Sequence, residues 1–201
     1  MIKSFLKIAY RSLLKNRLSS FINIFGLSMA VGCTIVIFLV IDFMYNIDSF
    51  HENAEKLFLV ENVIENDGEN ETWGNSPLPL GPALEADFPQ VIRAVRVADA
   101  VGAMRYGDLI FSESIRFVDP GFLEMFTFPL KYGDKSALSD KTALIISENL
   151  ALKYFGDANP IGTQVSITFN SDQTETFFIK GVTEKVPTNA SFGFTILCAY
   201  N

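Results

Sequence analysis

Histidine, cysteine and the short signatures of common enzymes are nearly absent from this 201-residue chain. It has one histidine, His51, and two cysteines, Cys33 and Cys198. None of the patterns G-x-S-x-G, H-E-x-x-H and G-x-x-x-x-G-K-[ST] occurs, so the sequence gives no support to a serine hydrolase, a zinc protease or a P-loop ATPase. No Cys/His spacing indicates a metal site. We therefore expect a protein that is not an enzyme, with no catalytic, cofactor-binding or metal-binding residues.

Charge is also missing from one long stretch. Between Leu18 and Ile41 the only ionisable side chain is the thiol of Cys33. As an α-helix this stretch is about 36 Å long, which is enough to cross a hydrocarbon core of about 30 Å. A cleavable signal peptide has a shorter apolar core. The sequence Ala-Val-Gly-Cys at 30–33 loosely resembles a lipoprotein box, but apolar residues follow it instead of a polar tether. The stretch predicts a transmembrane helix over residues 18–43.

The predicted helix contains two pairs of small residues with a spacing of four. Gly26 pairs with Ala30, and Ser28 pairs with Gly32, in the sequence GLSMAVG. Glycine is tolerated in a helix within lipid, and small residues there allow a neighbouring helix to approach closely. The four residues indicate a possible helix-packing face. Membrane helices also carry such residues by chance, and both alternatives stay open at this point.

Basic residues are concentrated before the span and scarce after it. Residues 1–17 carry a net charge of +5 without any acidic residue, whereas 22 acidic and 11 basic residues follow Asp42, a net −11. Positive flanks stay cytoplasmic, so residues 45–201 are expected outside the cytoplasm. The acidic exterior argues against nucleic-acid binding. Segment 1–17 itself is predicted to be an amphipathic basic helix on membrane lipid, or else a basic tail that only sets topology.

The outer region mixes predicted strands and short helices. Strands are predicted at 57–64, 91–98, 104–106, 109–111, 114–118 and 142–146, a loop from 66 to 71, and helices at 78–88, 120–126 and 147–155. Ser147 and Gly156 are suitable first and last caps for the third helix. Residues 164–169 and 176–182 are predicted to form a hairpin. Because strands and helices do not alternate strictly, we expect an α+β domain with mainly antiparallel pairing over residues 44–201.

Five stretches in one order resemble a known family. They are KIAYRSLLKNRLSSFINIFGLSMAVG (7–32), YNIDSFHENAEKLFLV (45–60), PGFLEMFTFPLKYGD (120–134), SENLALKYFGDANPIG (147–162) and IKGVTEKVPTNASF (179–192). The chain resembles the MacB/FtsX-like permeases of bacterial ABC transporters, specifically their first transmembrane helix and the MacB-like periplasmic core domain. Asp42, Tyr45 and Asp48 are more loosely spaced than the family pattern. Family members continue to further periplasmic sequence and three more helices, so the resemblance implies a domain truncated at its C-terminal end.

The resemblance implies a mechanical role in the bacterial inner membrane. A cytoplasmic ABC ATPase subunit would drive the membrane helices, and the periplasmic domain would transmit that motion to extrude lipoproteins, peptides or drugs. The implied partners are this ATPase, the remaining permease helices or a second permease copy, and periplasmic or outer-membrane components. The alternative is a single-span, membrane-anchored domain that senses or binds a ligand outside the cytoplasm. Only about 17 residues lie on the cytoplasmic side, which leaves little room for a signalling domain there.

Overall fold

The computed structural model describes residues 10, 11, 13, 15–66, 68–169 and 173–200. The chain divides into two units, Met1–Ile47 and Asp48–Asn201. Most of the predicted amphipathic segment 1–17 lies outside the described residues, so that expectation stays a prediction.

The first unit contains one long helix, α1, which spans Arg17–Tyr45. It has 29 residues and no buried side chain, and its mean hydropathy reaches 2.7. Among the described residues it is the one helix long and apolar enough to cross a membrane. Ser28 Oγ donates to the carbonyl of Ile24 at 2.7 Å, and Thr34 Oγ1 to that of Ala30 at 2.9 Å. These bonds satisfy both hydroxyls within the helix, as an apolar environment requires.

The second unit is built on a seven-stranded sheet. Its strands are β3 (Val97–Tyr106), β4 (Leu109–Val118), β5 (Leu130–Gly133), β6 (Ala143–Ser147), β7 (Gln164–Phe169), β8 (Thr174–Thr183) and β9 (Ile196–Ala199). The order is β5-β8-β6-β9-β4-β3-β7, and β7 pairs with β8 as well. The pairs β4–β9 and β6–β8 are parallel, and the other five are antiparallel. The predicted α+β domain with mainly antiparallel strands is confirmed.

Short elements complete the unit. A separate two-stranded hairpin consists of β1 (Asn62–Asn66) and β2 (Glu69–Trp73). The helices are α2 (Leu80–Asp87), α3 (Phe122–Met125) and α4 (Glu148–Phe155), with 3-10 turns at Ala54–Lys56 and Lys135–Ser139. Ser147 caps α4 by accepting a hydrogen bond from the Leu150 amide, and Gly156, with φ of 62°, ends it. The predicted helix and both of its caps are confirmed.

Several predicted boundaries were wrong. The strand expected at 57–64 begins only at Asn62, and the loop expected up to Glu71 is strand β2 from Glu69. The strand expected at 91–98 begins at Val97. A strand forms only where a neighbouring strand pairs with it. The described residues before Asn62 and before Val97 pair with no strand, so their β propensity alone does not make them strands. Residues 109–118 form one strand instead of two. Strands β5 and β9 were not predicted.

Two hydrophobic clusters fill the unit, and β6 separates them. Leu144 and Ile146 pack in the first cluster with α4, whereas Ile145 packs in the second. Strand β9 also contributes to both clusters, with Ile196 and Cys198 in the first and Leu197 in the second. This follows because alternate side chains of a strand point to opposite faces. The second cluster contains α3 and is rich in phenylalanine; its buried members include Phe122, Phe128 and Phe194. A strand covered on both faces explains why all five residues of β6 are buried.

Candidate functional site

The segment that follows the membrane helix is the best-defined candidate site. It runs from Asp48 to Asn53, at the start of the second unit, and we refer to it as the anchor segment. It lies against two loops of the same unit, residues 125–128, which begin at the last residue of α3, and residues 189–192 before β9.

Asp48 fastens the anchor segment to the loop before β9. Its backbone N–H donates to the Asn189 carbonyl at 2.9 Å, and its Oδ1 accepts a hydrogen bond from the Ser191 N–H at 2.8 Å. Among the described residues it is the one non-glycine residue with positive φ, 57°. Aspartate tolerates this left-handed conformation better than most side chains do. The conformation turns the chain so that both the amide and the carboxylate face the same loop.

His51 fastens the anchor segment to the loop after α3. Its side chain is 1% exposed, and its Nδ1 accepts a hydrogen bond from the Thr127 N–H at 3.0 Å. Two further bonds reach the same loop: the Glu52 N–H donates to Thr127 Oγ1 at 2.9 Å, and Asn53 Nδ2 donates to the Met125 carbonyl at 3.3 Å. The loop after α3 is therefore held from three consecutive residues.

Four phenylalanine rings surround the imidazole. Ring centroids lie 4.1 Å from it for Phe50, 5.3 Å for Phe126 and for Phe128, and 6.2 Å for Phe192. Such edge and tilted contacts add to the free energy gained from burial, by roughly 0.5–1.5 kcal/mol for a pair. The histidine thus combines a directed hydrogen bond with an apolar environment.

The protonation state of His51 follows from these contacts. Because Nδ1 accepts a hydrogen bond, it carries no proton, and the neutral ring has its proton on Nε2. Within the described residues Nε2 has no hydrogen-bond partner, and Asp48 Oδ1 lies 4.0 Å away. Burial lowers the pKa of His51, and the negative charge of Asp48 opposes that shift only in part. The ring is therefore neutral at pH 7.

The contacts of the anchor segment bind mainly backbone groups of two loops. Within the described part of the chain, no three histidine, cysteine, aspartate or glutamate side chains could together hold a metal ion. The contacts of His51 use its polar atom to bind backbone, which is the structural role expected for a lone histidine. What the arrangement can do is hold the start of the unit rigidly to two loops.

Three of the five family stretches meet at this site. Asp48 and His51 belong to the stretch 45–60, Thr127 to 120–134, and Asn189 and Ser191 to 179–192. Sequence reasoning used these stretches as signs of the family, and missed that they contact one another. The signal that could have found the site was their joint occurrence, since most of the bonds involve backbone atoms that no residue-type motif records.

The predicted helix-packing residues lie elsewhere, on α1. All four are exposed, and an added Cβ at Gly26 or Gly32 would meet no atom within 4 Å. At 3.6 residues per turn, however, the Gly26–Ala30 pair and the Ser28–Gly32 pair point about 160° apart. They therefore form two nearly opposite faces of the helix, and one neighbouring helix could occupy only one of them.

Comparison with known proteins establishes the family. The sequence model of the MacB-like periplasmic core domain matches residues 20–200. The chain belongs to the family of MacB-like periplasmic core domains. No curated protein matches the chain.

The chain is similar to several solved structures. A domain of a protein classed as a permease, from Porphyromonas gingivalis, is 26% identical with a TM-score of 0.58, and the match covers 69% of this chain and 60% of that one. For the periplasmic region of MacB from Actinobacillus actinomycetemcomitans the identity is 16%, the TM-score 0.47, and the coverage 63% and 56%. The extracellular domain of the noncanonical ABC-type transporter YknZ from Gram-positive bacteria is 24% identical with a TM-score of 0.39, and the match covers 53% of this chain and 54% of that one. The chain thus spans less than two thirds of each of these structures.

Proposed function

We propose that this chain is the N-terminal part of the permease subunit of a MacB/FtsX-type ABC transporter, and that it carries motion from the bilayer into the periplasmic domain. ATP hydrolysis takes place in a separate cytoplasmic subunit. The permease uses the resulting movement to extrude lipoproteins, peptides or drugs, together with its remaining helices or a second copy and with periplasmic or outer-membrane components.

The anchor segment is the observation that supports this proposal. The chain leaves α1 at Tyr45, and three residues later the Asp48 N–H donates a hydrogen bond to the Asn189 carbonyl. At least five hydrogen bonds then hold residues 48–53 to two loops. A net value of about 1 kcal/mol for each bond is typical. A displacement of α1 would therefore move the unit as a whole instead of pulling the first turn away from it.

The proposed topology places the N-terminus in the cytoplasm and residues 45–201 in the periplasm of a bacterial inner membrane. It rests on the net charge of +5 before the span and −11 after Asp42. The basic segment 1–17 then lies at the inner leaflet, where anionic lipid attracts it.

A distance measurement tests the transmission. The full-length permease is reconstituted with its ATPase, with Cys33 replaced by alanine, a donor fluorophore on Lys135→Cys and acceptor fluorophores on lipids of the bilayer. In the otherwise wild-type protein, ATP should change the energy transfer from the unit to the bilayer. In the double variant Asp48→Ala/His51→Ala that change should be lost while ATP hydrolysis continues.

The matched control is His51→Asn, because the asparagine Oδ1 can take the place of Nδ1 as acceptor for the Thr127 N–H. This variant should keep most of the ATP-dependent change. An unaltered change in the double variant would refute the role of the anchor segment. Circular dichroism of each variant separates lost transmission from lost folding.

The packing face on α1 remains a proposal that can be tested one side at a time. Gly26→Leu and Gly32→Leu place branched side chains about 120° apart around the helix, one on each of the two faces. Membrane insertion should be unaffected because leucine is apolar, and van der Waals packing with a neighbouring helix should weaken in one variant only. Crosslinking of the full-length permease measures the assembly. Unchanged assembly in both variants would mean that the small residues face lipid.

A further inference from the structure

His51 lies between the two attachments of the anchor segment. Its Nδ1 accepts a hydrogen bond from the Thr127 N–H in the loop after α3, at 3.0 Å. Its Nε2 lies 4.0 Å from Asp48 Oδ1, the atom that accepts the Ser191 N–H in the loop before β9. Within the described residues Nε2 is buried and has no hydrogen-bond partner. One ring nitrogen is therefore bonded to the first loop, and the other lies just outside bonding distance of the carboxylate that holds the second.

Asp48 is the charged group that acts on this ring. The two loops contain no ionisable side chain, and Glu52 on the anchor segment is exposed. Arg116 lies 5.3 Å from the ring centroid of Phe192 and is itself paired with Asp99 at 2.6 Å. Four phenylalanine rings contact the imidazole: Phe50, Phe126, Phe128 and Phe192. A positive charge on His51 would therefore have one partner within reach, the carboxylate of Asp48.

Protonation would change which partner the ring binds. The neutral ring has its proton on Nε2, so a second proton enters at Nδ1. Nδ1 is then a donor, and the Thr127 N–H, which is also a donor, has to leave it. The Asp48 carboxylate has about four acceptor sites, so it can accept a bond from Nε2 beside the bond from the Ser191 N–H. Burial lowers the pKa of His51, so this exchange of partners occurs below pH 6.5.

We propose that protonation of His51 releases the loop after α3 from the anchor segment, while the loop before β9 stays attached. Because the side chain is 1% exposed, a proton reaches Nδ1 only when the loop moves away, and proton uptake and release are one event. The bonds from the Glu52 N–H and from Asn53 Nδ2 to the same loop limit the movement. The new pair of His51 and Asp48 lies within the anchor segment and adds no attachment to either loop.

The release would regulate the proposed transmission of motion, and this consequence rests on that proposed function. At neutral pH the anchor segment is held to both loops, and at acidic pH its attachment to the loop after α3 is weaker. A displacement of α1 would then reach the unit less completely. Acid outside the cytoplasm would thus reduce the motion produced by ATP hydrolysis, through the proton taken up by one histidine.

Amide hydrogen exchange in the 201-residue chain tests the release itself. Protection of the Thr127 N–H, corrected for the intrinsic pH dependence of exchange, should be about tenfold lower at pH 5 than at pH 7.5, as expected for the loss of one hydrogen bond. Protection of the Ser191 N–H should stay unchanged. His51 is the only histidine in the sequence, so its ring NMR signals report its protonation directly. Ring protonation and the loss of Thr127 protection should have the same midpoint.

The matched control is His51→Asn, because the asparagine Oδ1 can accept the Thr127 N–H and has no proton to gain in this range. Its Thr127 protection should be equal at both pH values, and circular dichroism confirms that it folds. The amides of β6 report opening of the whole unit, and in the wild type they should stay protected. Unchanged Thr127 protection in the wild type would overturn the proposal. An equal loss in His51→Asn or at β6 would do the same, as would two different midpoints.

The full-length permease tests the regulatory consequence. It is reconstituted in vesicles with its ATPase outside at pH 7.5, so that the periplasmic unit lies in the lumen. A pH-insensitive donor on Lys135→Cys, in the Cys33→Ala background, reports energy transfer to acceptors on the lipids. When the lumen is acidified to pH 5, the ATP-dependent change should fall in proportion to the protonated fraction of His51, and in His51→Asn it should not fall.

The two measurements separate two kinds of failure. An ATP-dependent change that is unaltered at pH 5 in the wild type, although Thr127 is released, would overturn the regulatory role. The absence of any ATP-dependent change at pH 7.5 would instead refute the proposed transmission of motion, and amide exchange would still decide whether protonation releases the loop.

Discussion

Protonation of His51 should destabilise the periplasmic unit. Its pKa in the folded protein is lowered by burial from the ordinary value of 6.5, so between that lowered pKa and 6.5 the unfolded chain binds more protons than the folded one. Stability is therefore complete above pH 6.5 and declines as the pH falls through this window. Protonation would also remove the acceptor at Nδ1 that binds the Thr127 N–H.

The size of the effect has an upper limit. One titrating group changes the free energy of unfolding by at most about 1.4 kcal/mol for each pH unit. For a unit of about this size, 1 kcal/mol corresponds to roughly 2–4 °C in melting temperature, so the slope should not exceed roughly 3–6 °C for each pH unit. His51 is the only histidine in the sequence, so no other histidine contributes.

Thermal unfolding of the 201-residue chain in detergent, followed by circular dichroism from pH 7.5 to pH 5, measures the slope. His51→Phe keeps an aromatic ring among the four phenylalanines but cannot be protonated, and it should show a flatter profile. It leaves the Thr127 N–H without its acceptor, which costs about 1–3 kcal/mol at all pH values. His51→Ala loses the ring contacts as well, and should cost about 3–5 kcal/mol by analogy with other buried ring deletions. Equal slopes for wild type and His51→Phe would refute the argument.

Three further predictions concern single positions. Asp48→Ala should lower the free energy of unfolding by about 1–3 kcal/mol, because the Ser191 N–H loses its acceptor. Asp48→Asn should change it little, since asparagine tolerates positive φ and keeps an acceptor. Thermal melts of the two variants measure the difference. Gly133→Ala should destabilise more than Gly193→Ala in the same assay, since a Cβ at Gly133, where φ is 92°, would clash with the Lys180 backbone oxygen, and one at Gly193 would meet nothing within 4 Å. In intact cells, an impermeant thiol reagent should label Asn70→Cys and not a cysteine at position 5, and the reverse pattern would contradict the proposed topology.

Local signals predicted the elements that depend on neighbouring residues. The cap at Ser147, the stop at Gly156 and the turn at Gly107 between two strands all follow from side-chain or backbone preferences within a few residues. The fully buried strand β6 was also predicted, because a short apolar run followed by a helix cap is distinctive.

Elements that depend on distant partners were not predicted. Strand β9 has four residues and is a strand because it lies between β4 and β6, far away in sequence. In contrast, the apolar residues Phe58 and Leu59 predicted a strand that does not form there. An apolar, β-prone run indicates that a segment needs a partner, but it does not say whether one is present. The two errors have the same cause.

The same distinction explains why the anchor segment could not be predicted as a site. Its contacts join residues 72 to 143 positions apart in sequence, and they bind backbone groups or place one histidine among phenylalanines. A catalytic site reveals itself by residue types with unusual chemistry, whereas a mechanical joint needs only a close fit and satisfied backbone groups. The anchor segment is therefore recognised by which stretches of the chain contact one another. If the proposed transmission of motion is correct, the meeting of three family stretches at the residues that follow α1 is the arrangement that it requires.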